Sequence, residues 1–300
     1  MLRGLRDRVG DLTAVVTVAD DGGSSGRLRQ ELGVAPPGDV RNCLVALAGR
    51  KKLAEVFNYR FEGEGDLSDH SVGNIIIAAL ADIAGGFYEG VEQAARFLRI
   101  KGQVYPAATE SLTLVVNHAD GTVTRGESVV REVGKAVARV EVEPTGAAPP
   151  PGVISAVEGA DVIVLGPGSL FTSTIPALLG AGVKEALADF AGPVVYAANV
   201  MTQPGETVGF ALSDHLRALA DHAGPVVTDV LVHSGGLPEE LVARYEAEGG
   251  APVEVDREEI EKLGIRLREA VLLSREAEAG VRHDPDRLAE EVCEAALVRF

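Results

Sequence analysis

Short apolar runs that end abruptly in glycine- and hydroxyl-rich loops constrain this chain most. Residues 12–19 (LTAVVTVA), 162–165 (VIVL), 194–198 (VVYAA) and 226–232 (VVTDVLV) read as strands buried on both faces, each flanked by loop residues. Between and beyond them, segments 40–48, 74–84, 88–99, 173–179, 214–222 and 239–248 carry apolar residues at helical spacing. Strands of this kind alternating with helices predict an α/β fold with a mostly parallel sheet covered by helices on both faces. A different pattern occupies 112–125 (LTLVVNHADGTVTR), where two β-prone runs flank an Asp-Gly connection. That is a hairpin signal, and with 137–142 (VARVEV) it predicts an antiparallel addition beside the main sheet. The Pro- and Gly-rich stretch 143–152 is the one linker-like segment, yet similar strands follow it, so one large domain over residues 1–300 is expected. The tail from 239 to 300 reads as charged and helical. Asp284-Pro285 opens its last helix, in which Leu288, Val292 and Ala296 share one face.

Charge narrows the function. Among 300 residues there are 28 Lys and Arg against 45 Asp and Glu, a formal net charge of -17. Such a surface repels polyanions, which excludes a nucleic-acid binder built on counterion release and disfavours docking on an anionic bilayer. No apolar run reaches the ~20 residues of a spanning helix, and the first ten residues carry no secretory h-region. A cytoplasmic protein is therefore expected. Cys43 and Cys293 lie far apart without metal or disulfide spacing, and both are expected to be buried reduced thiols. Zinc-ligand spacing and a Ser-His-Asp order are likewise missing from the sequence.

In open parallel sheets ligands bind beyond the carboxyl ends of the strands, so chemistry is sought in the strand exits. The first exit runs Asp20, Asp21, Gly22, Gly23, Ser24, Ser25, Gly26, Arg27. Adjacent glycines let backbone N–H groups turn inward, the serines add hydroxyls, and Arg27 can meet a phosphate as a fork. Two carboxylates ahead of such a nest make sense if Mg²⁺ lies between them and the phosphate, or if one takes a proton from a substrate hydroxyl. A helix-capping turn is the simpler alternative. The second exit, Gly166-Pro-Gly168-Ser169-Leu-Phe-Thr172-Ser173, runs into an expected helix and reads as a phosphate cradle at a helix N-terminus. It is neither GxxxxGK[ST] nor GxGxxG. The third exit supplies Asn199 and Gln203, amides suited to a base or sugar. Asp39 caps the segment 40–48, and Arg41 stands in the first turn, where a cation is unfavourable unless an anion is near. His70 and Asn74 open the next apolar helix, and His70 could serve as a general base, a phosphate partner or a cap. The other five histidines are expected at the surface or as caps.

Taken together, VTVADDGGSSGRLR (16–29), PGDVRNCLVALA (37–48), FNYRF (57–61), DHSVGN (69–74), GPGSLFTSTIPALL (166–179) and NVMTQPGET (199–207) resemble the YvcK family of gluconeogenesis factors, similar in turn to the CofD phospholactate transferases. The resemblance spans nearly the whole chain. It implies a Rossmann-like α/β fold and a cytoplasmic protein tied to cell-wall formation and cell shape on gluconeogenic carbon sources. It further implies a UDP-sugar ligand, notably UDP-N-acetylglucosamine, contacted by Tyr245 and Arg282 through the segments LVARYEAEGG and GVRHDP. Cell-wall regulatory proteins as partners and a homo-oligomer are compatible with it. The CofD side implies Mg²⁺-dependent transfer of a phospholactyl group to a deazaflavin, with Asp20 or Asp21 and Asp39 as the matching acids; no other cofactor is implied. The nucleotide ligand would be met by Gly22, Gly23, Ser24, Ser25, Arg27, Arg41, Asn42, His70, Asn74, Gly166, Gly168, Ser169, Thr172 and Ser173, with Asn199 and Gln203 toward its base or sugar.

Two departures accompany the resemblance. Family chains begin with a strand and a glycine-rich loop, whereas this one opens inside the helix that follows, as expected of a start assigned too late or of a truncated chain. A missing central strand would leave both neighbours with unpaired edges. Asp69, where the family tends to carry glycine, places a negative charge beside His70.

Overall fold

The computed structural model describes residues 1–63, 65, 68, 70–274 and 280–297, with the backbone alone for Arg131; Asp69 lies outside the described residues. Its strands are β1 (Thr13–Val16), β2 (Gln103–Pro106), β3 (Thr113–His118), β4 (Val123–Arg125), β5 (Val137–Glu143), β6 (Ile163–Leu165), β7 (Val194–Ala197), β8 (Asp229–His233) and β9 (Arg266–Ala270). The helices are α1 (Leu2–Leu5), α2 (Gly23–Leu32), α3 (Gly38–Leu47), α4 (Lys51–Asn58), α5 (Val72–Ala84), α6 (Phe87–Leu98), α7 (Glu127–Val133), α8 (Pro151–Glu158), α9 (Val183–Asp189), α10 (Leu212–Ala223), α11 (Glu239–Ala247), α12 (Arg257–Lys262) and α13 (Pro285–Leu297).

The fold class is the expected α/β arrangement, with the parallel strands divided between two sheets. β1 pairs in parallel with β2, while β6, β7, β8 and β9 form a second, all-parallel sheet in that order. Among the described residues β1 and β6 each have one hydrogen-bonded strand neighbour, so each keeps an unpaired edge. The hairpin is present as an antiparallel sheet of its own, in the order β4-β3-β5. One large hydrophobic cluster joins Val16 of β1, Leu44 of α3, Ile77 of α5, Leu114 of β3, Tyr196 of β7 and Val230 of β8, all at most 9% exposed. Burial of these aliphatic side chains is the dominant stabilising term. No helix among the described residues is long and apolar enough to cross a membrane.

Three expectations need correction. The tail is not helical throughout: residues 266–270 (RLREA) form β9, whose Arg268 and Arg266 reach the fully buried Asp229 at 2.6 and 3.5 Å. A strand whose arginines cover a buried acid has no apolar alternation to betray it. Segment 173–179 is not an α-helix but a π turn, Leu170–Thr174, followed by a 3₁₀ turn, Pro176–Leu178. Thr174 and Ile175 donate their backbone N–H five residues back, to Ser169 and Leu170, and Pro176 has no N–H to continue an α pattern. His118, His215 and His222 are at most 3% exposed, so they are interior groups rather than surface or capping ones.

Candidate functional site

The β1 exit is built by a turn and a close approach. After the buried Val18 and Ala19, Asp20 Oδ1 accepts the Gly22 N–H at 2.8 Å and turns the chain into α2. α3 then starts against α2: a Cβ on Gly38 would stand 2.5 Å from Ser25 Oγ and 3.4 Å from Asp20 Oδ2. The lack of a Cβ at Gly38 allows this close approach, and the next residue, Asp39, feels the charge of Asp20. Burial, then the charge of Asp20, pushes the Asp39 carboxyl up; a hydrogen bond from Asn42 and the charge of Arg41 oppose this.

Asp21 diverges from its neighbour. Its Oδ1 accepts the Ser128 N–H at 2.8 Å, so it supplies an acceptor to the first turn of α7, where Gly126 has no side chain to cap with. The pair of acids that the fold brings together is Asp20 with Asp39 rather than Asp20 with Asp21. No group of three or more His, Cys, Asp and Glu forms a metal-binding cluster among the described residues.

Around these acids lies a shell of buried polar groups. Ser24 Oγ is 3.0 Å from His70 Nδ1 and accepts from Asn74 Nδ2 at 3.3 Å, with all three residues at most 6% exposed. The cap of α5 is Ser71, whose Oγ accepts the Asn74 N–H, which removes capping from the roles open to His70. Asn74 Oδ1 and Arg41 Nε, both buried, have no hydrogen-bond partner among the described residues. Arg41 otherwise donates to Asn58 Oδ1 at 2.9 Å, Asn42 Oδ1 at 2.7 Å and the Phe57 carbonyl at 3.5 Å. Arg27, half-buried, donates to the Ser68 carbonyl. Gly22 and Gly23 form the junction into α2, whose N-cap, Gly22, offers no side chain.

The exits of β6 and β7 interlock with each other. Asn199 Nδ2 donates to the Gly168 carbonyl at 2.8 Å, Gln203 Nε2 to Ser169 Oγ at 2.8 Å, and the Gln203 N–H to Thr207 Oγ1 at 2.9 Å. Glu206, 3% exposed, accepts the Phe171 N–H and the Thr172 hydroxyl, both at 3.3 Å. A carboxylate of the chain itself thus occupies donors expected for a phosphate. Thr172 is fully buried, Ser173 and Gly166 are half-buried, and the π turn is too short to present a helix dipole. Beneath the loops, the Tyr196 hydroxyl lies 2.9 Å from His215 Nδ1; burial pushes the Tyr196 pKa up and that of His215 down to about 4.

Tyr245 is half-buried on α11 and Arg282 is exposed. The Tyr245 hydroxyl stands 3.4 Å from where a Cβ on Gly280 would be, and Arg282 follows two residues on. The C-terminal end of α11 is tied to the β7 exit, since Thr202 and Ala251 exchange N–H bonds at 2.7 and 2.8 Å. Cys43 and Cys293 are free thiols and half-buried; burial pushes Cys43 up to about 12, which keeps it protonated and inert.

Sequence reasoning did not single out Glu206, Asn58 or the Tyr196–His215 pair. For Glu206 a signal existed, a lone acid in the otherwise neutral string NVMTQPGET. For the others the contact partners are 17 and 19 residues apart, and no local pattern encodes them.

Comparison with known proteins shows the family of the chain. The model of the family described as 2-phospho-L-lactate transferase CofD matches residues 1–273. The gluconeogenesis factor of Bacillus subtilis is 42% identical over 291 residues, covering 96% of this chain and 92% of that protein. That of Halalkalibacterium halodurans is 43% identical, covering 98% and 92% respectively. A longer Nostoc sp. relative is also 43% identical, and this chain spans 64% of its length. A crystal structure of a Bacillus halodurans protein superposes with a TM-score of 0.94 at 42% identity, covering 97% of this chain and 94% of the other. With the strand-exit loops and their interlocking partners laid out as above, the chain belongs to the CofD family, in its gluconeogenesis-factor (YvcK) branch.

Proposed function

We propose that the protein is a nucleotide-sugar-binding regulator that takes UDP-N-acetylglucosamine at the carboxyl ends of its parallel strands and serves cell-wall formation and cell shape during gluconeogenic growth. The supporting observation is the place of Tyr245, on the helix whose end is tied to the β7 exit, with its hydroxyl 3.4 Å from where a Cβ on Gly280 would be, two residues before the exposed Arg282. An aromatic ring offers a stacking face, and an exposed guanidinium can meet a phosphate as a fork. Asn199 and Gln203, already committed to Gly168 and Ser169, stiffen the β6 and β7 exits. Binding would be passed to partner proteins concerned with the cell wall. Isothermal titration with UDP-N-acetylglucosamine tests the reading: Arg282→Ala should weaken binding about tenfold or more, roughly 1.4 kcal/mol, and unchanged affinity would refute the assignment.

The proximity of Asp20 and Asp39 favours a second reading, CofD-type transfer to a deazaflavin alcohol. Two carboxylates forced together at a partly buried turn suit a hard cation, and Mg²⁺ is commonly held by one or two carboxylates, waters and substrate phosphates. Asp20 and Asp39 would hold it, and the ion would neutralise charge developing on the transferred phosphoryl group. Asp20→Asn should then abolish product formation while leaving donor binding largely intact; an active variant would count against this role.

A further inference from the structure

β8 ends at His233, opposite Ala270 at the end of β9. The Ser234 N–H still reaches the Ala270 carbonyl, at 2.9 Å. Leu272, two residues further along, is fully buried, so its N–H needs a partner inside the protein. The His233 ring supplies it: Nδ1 accepts the Leu272 N–H at 3.0 Å. A backbone N–H can only donate, so Nδ1 carries no proton and the ring is the Nε2–H tautomer. Burial pushes the His233 pKa down, which favours this neutral ring; the carbonyls of Gly236 and Ala270 oppose the shift. Gly235 leaves room for the ring, since a Cβ there would stand 2.5 Å from its Cε1.

Beyond β9 the chain pairs with the segment that bears Arg282. The Leu272 carbonyl accepts the Asp284 N–H at 2.6 Å, the Ser274 N–H donates to the Arg282 carbonyl at 3.0 Å, and Leu273 lies opposite His283 in an antiparallel bridge. The Arg282 backbone is thus tied to residues 272–274, and these to the end of β8 through the imidazole. We infer that His233 is a positioning residue for ligand binding: its Nδ1 holds residues 272–274, and with them the Arg282 backbone, at the exit of β8. The inference rests on the reading of Arg282 as a nucleotide-sugar contact.

Three substitutions separate the position of the acceptor from the mere loss of a side chain, with UDP-N-acetylglucosamine as the probe in isothermal titration of the full chain. His233→Asn puts an amide oxygen where Nδ1 stands and should bind within about twofold of the wild type. His233→Gln carries the same amide one bond further out and His233→Ala carries none; each should bind about tenfold more weakly, the size expected for one hydrogen bond. Wild-type affinity in His233→Ala would overturn the inference while leaving the nucleotide-sugar reading intact, and so would a loss in His233→Asn as deep as in His233→Ala. Amide hydrogen exchange without ligand reads the anchoring itself. Protection of the Leu272, Ser274 and Asp284 amides should fall in His233→Ala and His233→Gln and persist in His233→Asn, while the Val230 and Leu231 amides of β8 stay protected in all three. Unchanged protection at Leu272, Ser274 and Asp284 in His233→Ala would overturn the inference by itself, and so would a loss that extends through β8, which would make His233 a residue of the core. A wild type that binds no UDP-N-acetylglucosamine refutes the Arg282 reading and with it the role of His233 in binding.

Discussion

The loops leaving β1 and those leaving β6 and β7 draw on similar residues, glycine with hydroxyls and amides, and end in opposite electrostatic states. At β6 and β7 the groups answer one another: Asn199 serves Gly168, Gln203 serves Ser169, and Glu206 takes the Phe171 N–H and the Thr172 hydroxyl. At β1 the account does not close. Asp39 is pressed toward Asp20, while Arg41 Nε and Asn74 Oδ1 are buried without partners among the described residues. Leaving such groups unpaired costs free energy that a bound ligand or ion can recover. A glycine- and hydroxyl-rich turn is thus only a potential anion site; whether its donors are already spent decides.

The comparison can be broken most forcefully at Glu206. Glu206→Ala strands two buried donors and should destabilise the fold by about 2–6 kcal/mol, since each unsatisfied group costs about 1–3 kcal/mol. Urea unfolding measures it, and a loss below about 1 kcal/mol would mean that the β6 and β7 loops do not depend on their internal carboxylate.

Acid should separate the two regions by sign. The folded His215 is lowered to about 4 from 6.5, so its contribution is present above pH 6.5 and is lost as pH falls toward about 4. The loss is on the order of 3 kcal/mol. Asp39 runs the other way: raised when folded, it favours the folded state at low pH and loses that contribution as pH rises through its folded value. Unfolding curves from pH 7 to 4.5, with imidazole titrations followed by NMR, check both. A His215 that titrates above pH 6 would contradict the buried, neutral assignment.

Smaller effects sharpen the contrast. Asp39→Asn relieves repulsion with Asp20, so stability should change by no more than about 0.5 kcal/mol, while Mn²⁺ affinity falls about tenfold or more. A large loss of stability would make Asp39 a structural acid like Glu206. Arg282→Ala, at an exposed position, should leave unfolding within about 0.5 kcal/mol and alter ligand affinity alone.

Much of the fold was legible because its strands are apolar on both faces. The runs at 162–165 and 194–198 contain β6 and β7, and 112–125 contains the β3–β4 hairpin. β9 was hidden, since Arg266 and Arg268 serve the buried Asp229 rather than an apolar core. The site was legible as a set of loops and illegible as a set of contacts. The string DDGGSSGR marks the β1 exit, but only the approach of α3 at Gly38 shows that Asp20 meets Asp39 while Asp21 turns to α7. Likewise GPGSLFTS reads as a phosphate cradle, and only the structure shows that Glu206, 34 residues beyond Thr172, takes the Thr172 hydroxyl.

The most direct test is isothermal titration of the full chain with UDP-N-acetylglucosamine, with GDP and Mg²⁺ as the comparison ligand. Saturable binding of the UDP-sugar that is lost in Arg282→Ala is the result expected of a nucleotide-sugar-binding regulator. No heat from the UDP-sugar, with binding of GDP and Mg²⁺ that depends on Asp20 and Asp39, would contradict it and move the function to the transferase chemistry of the β1 exit.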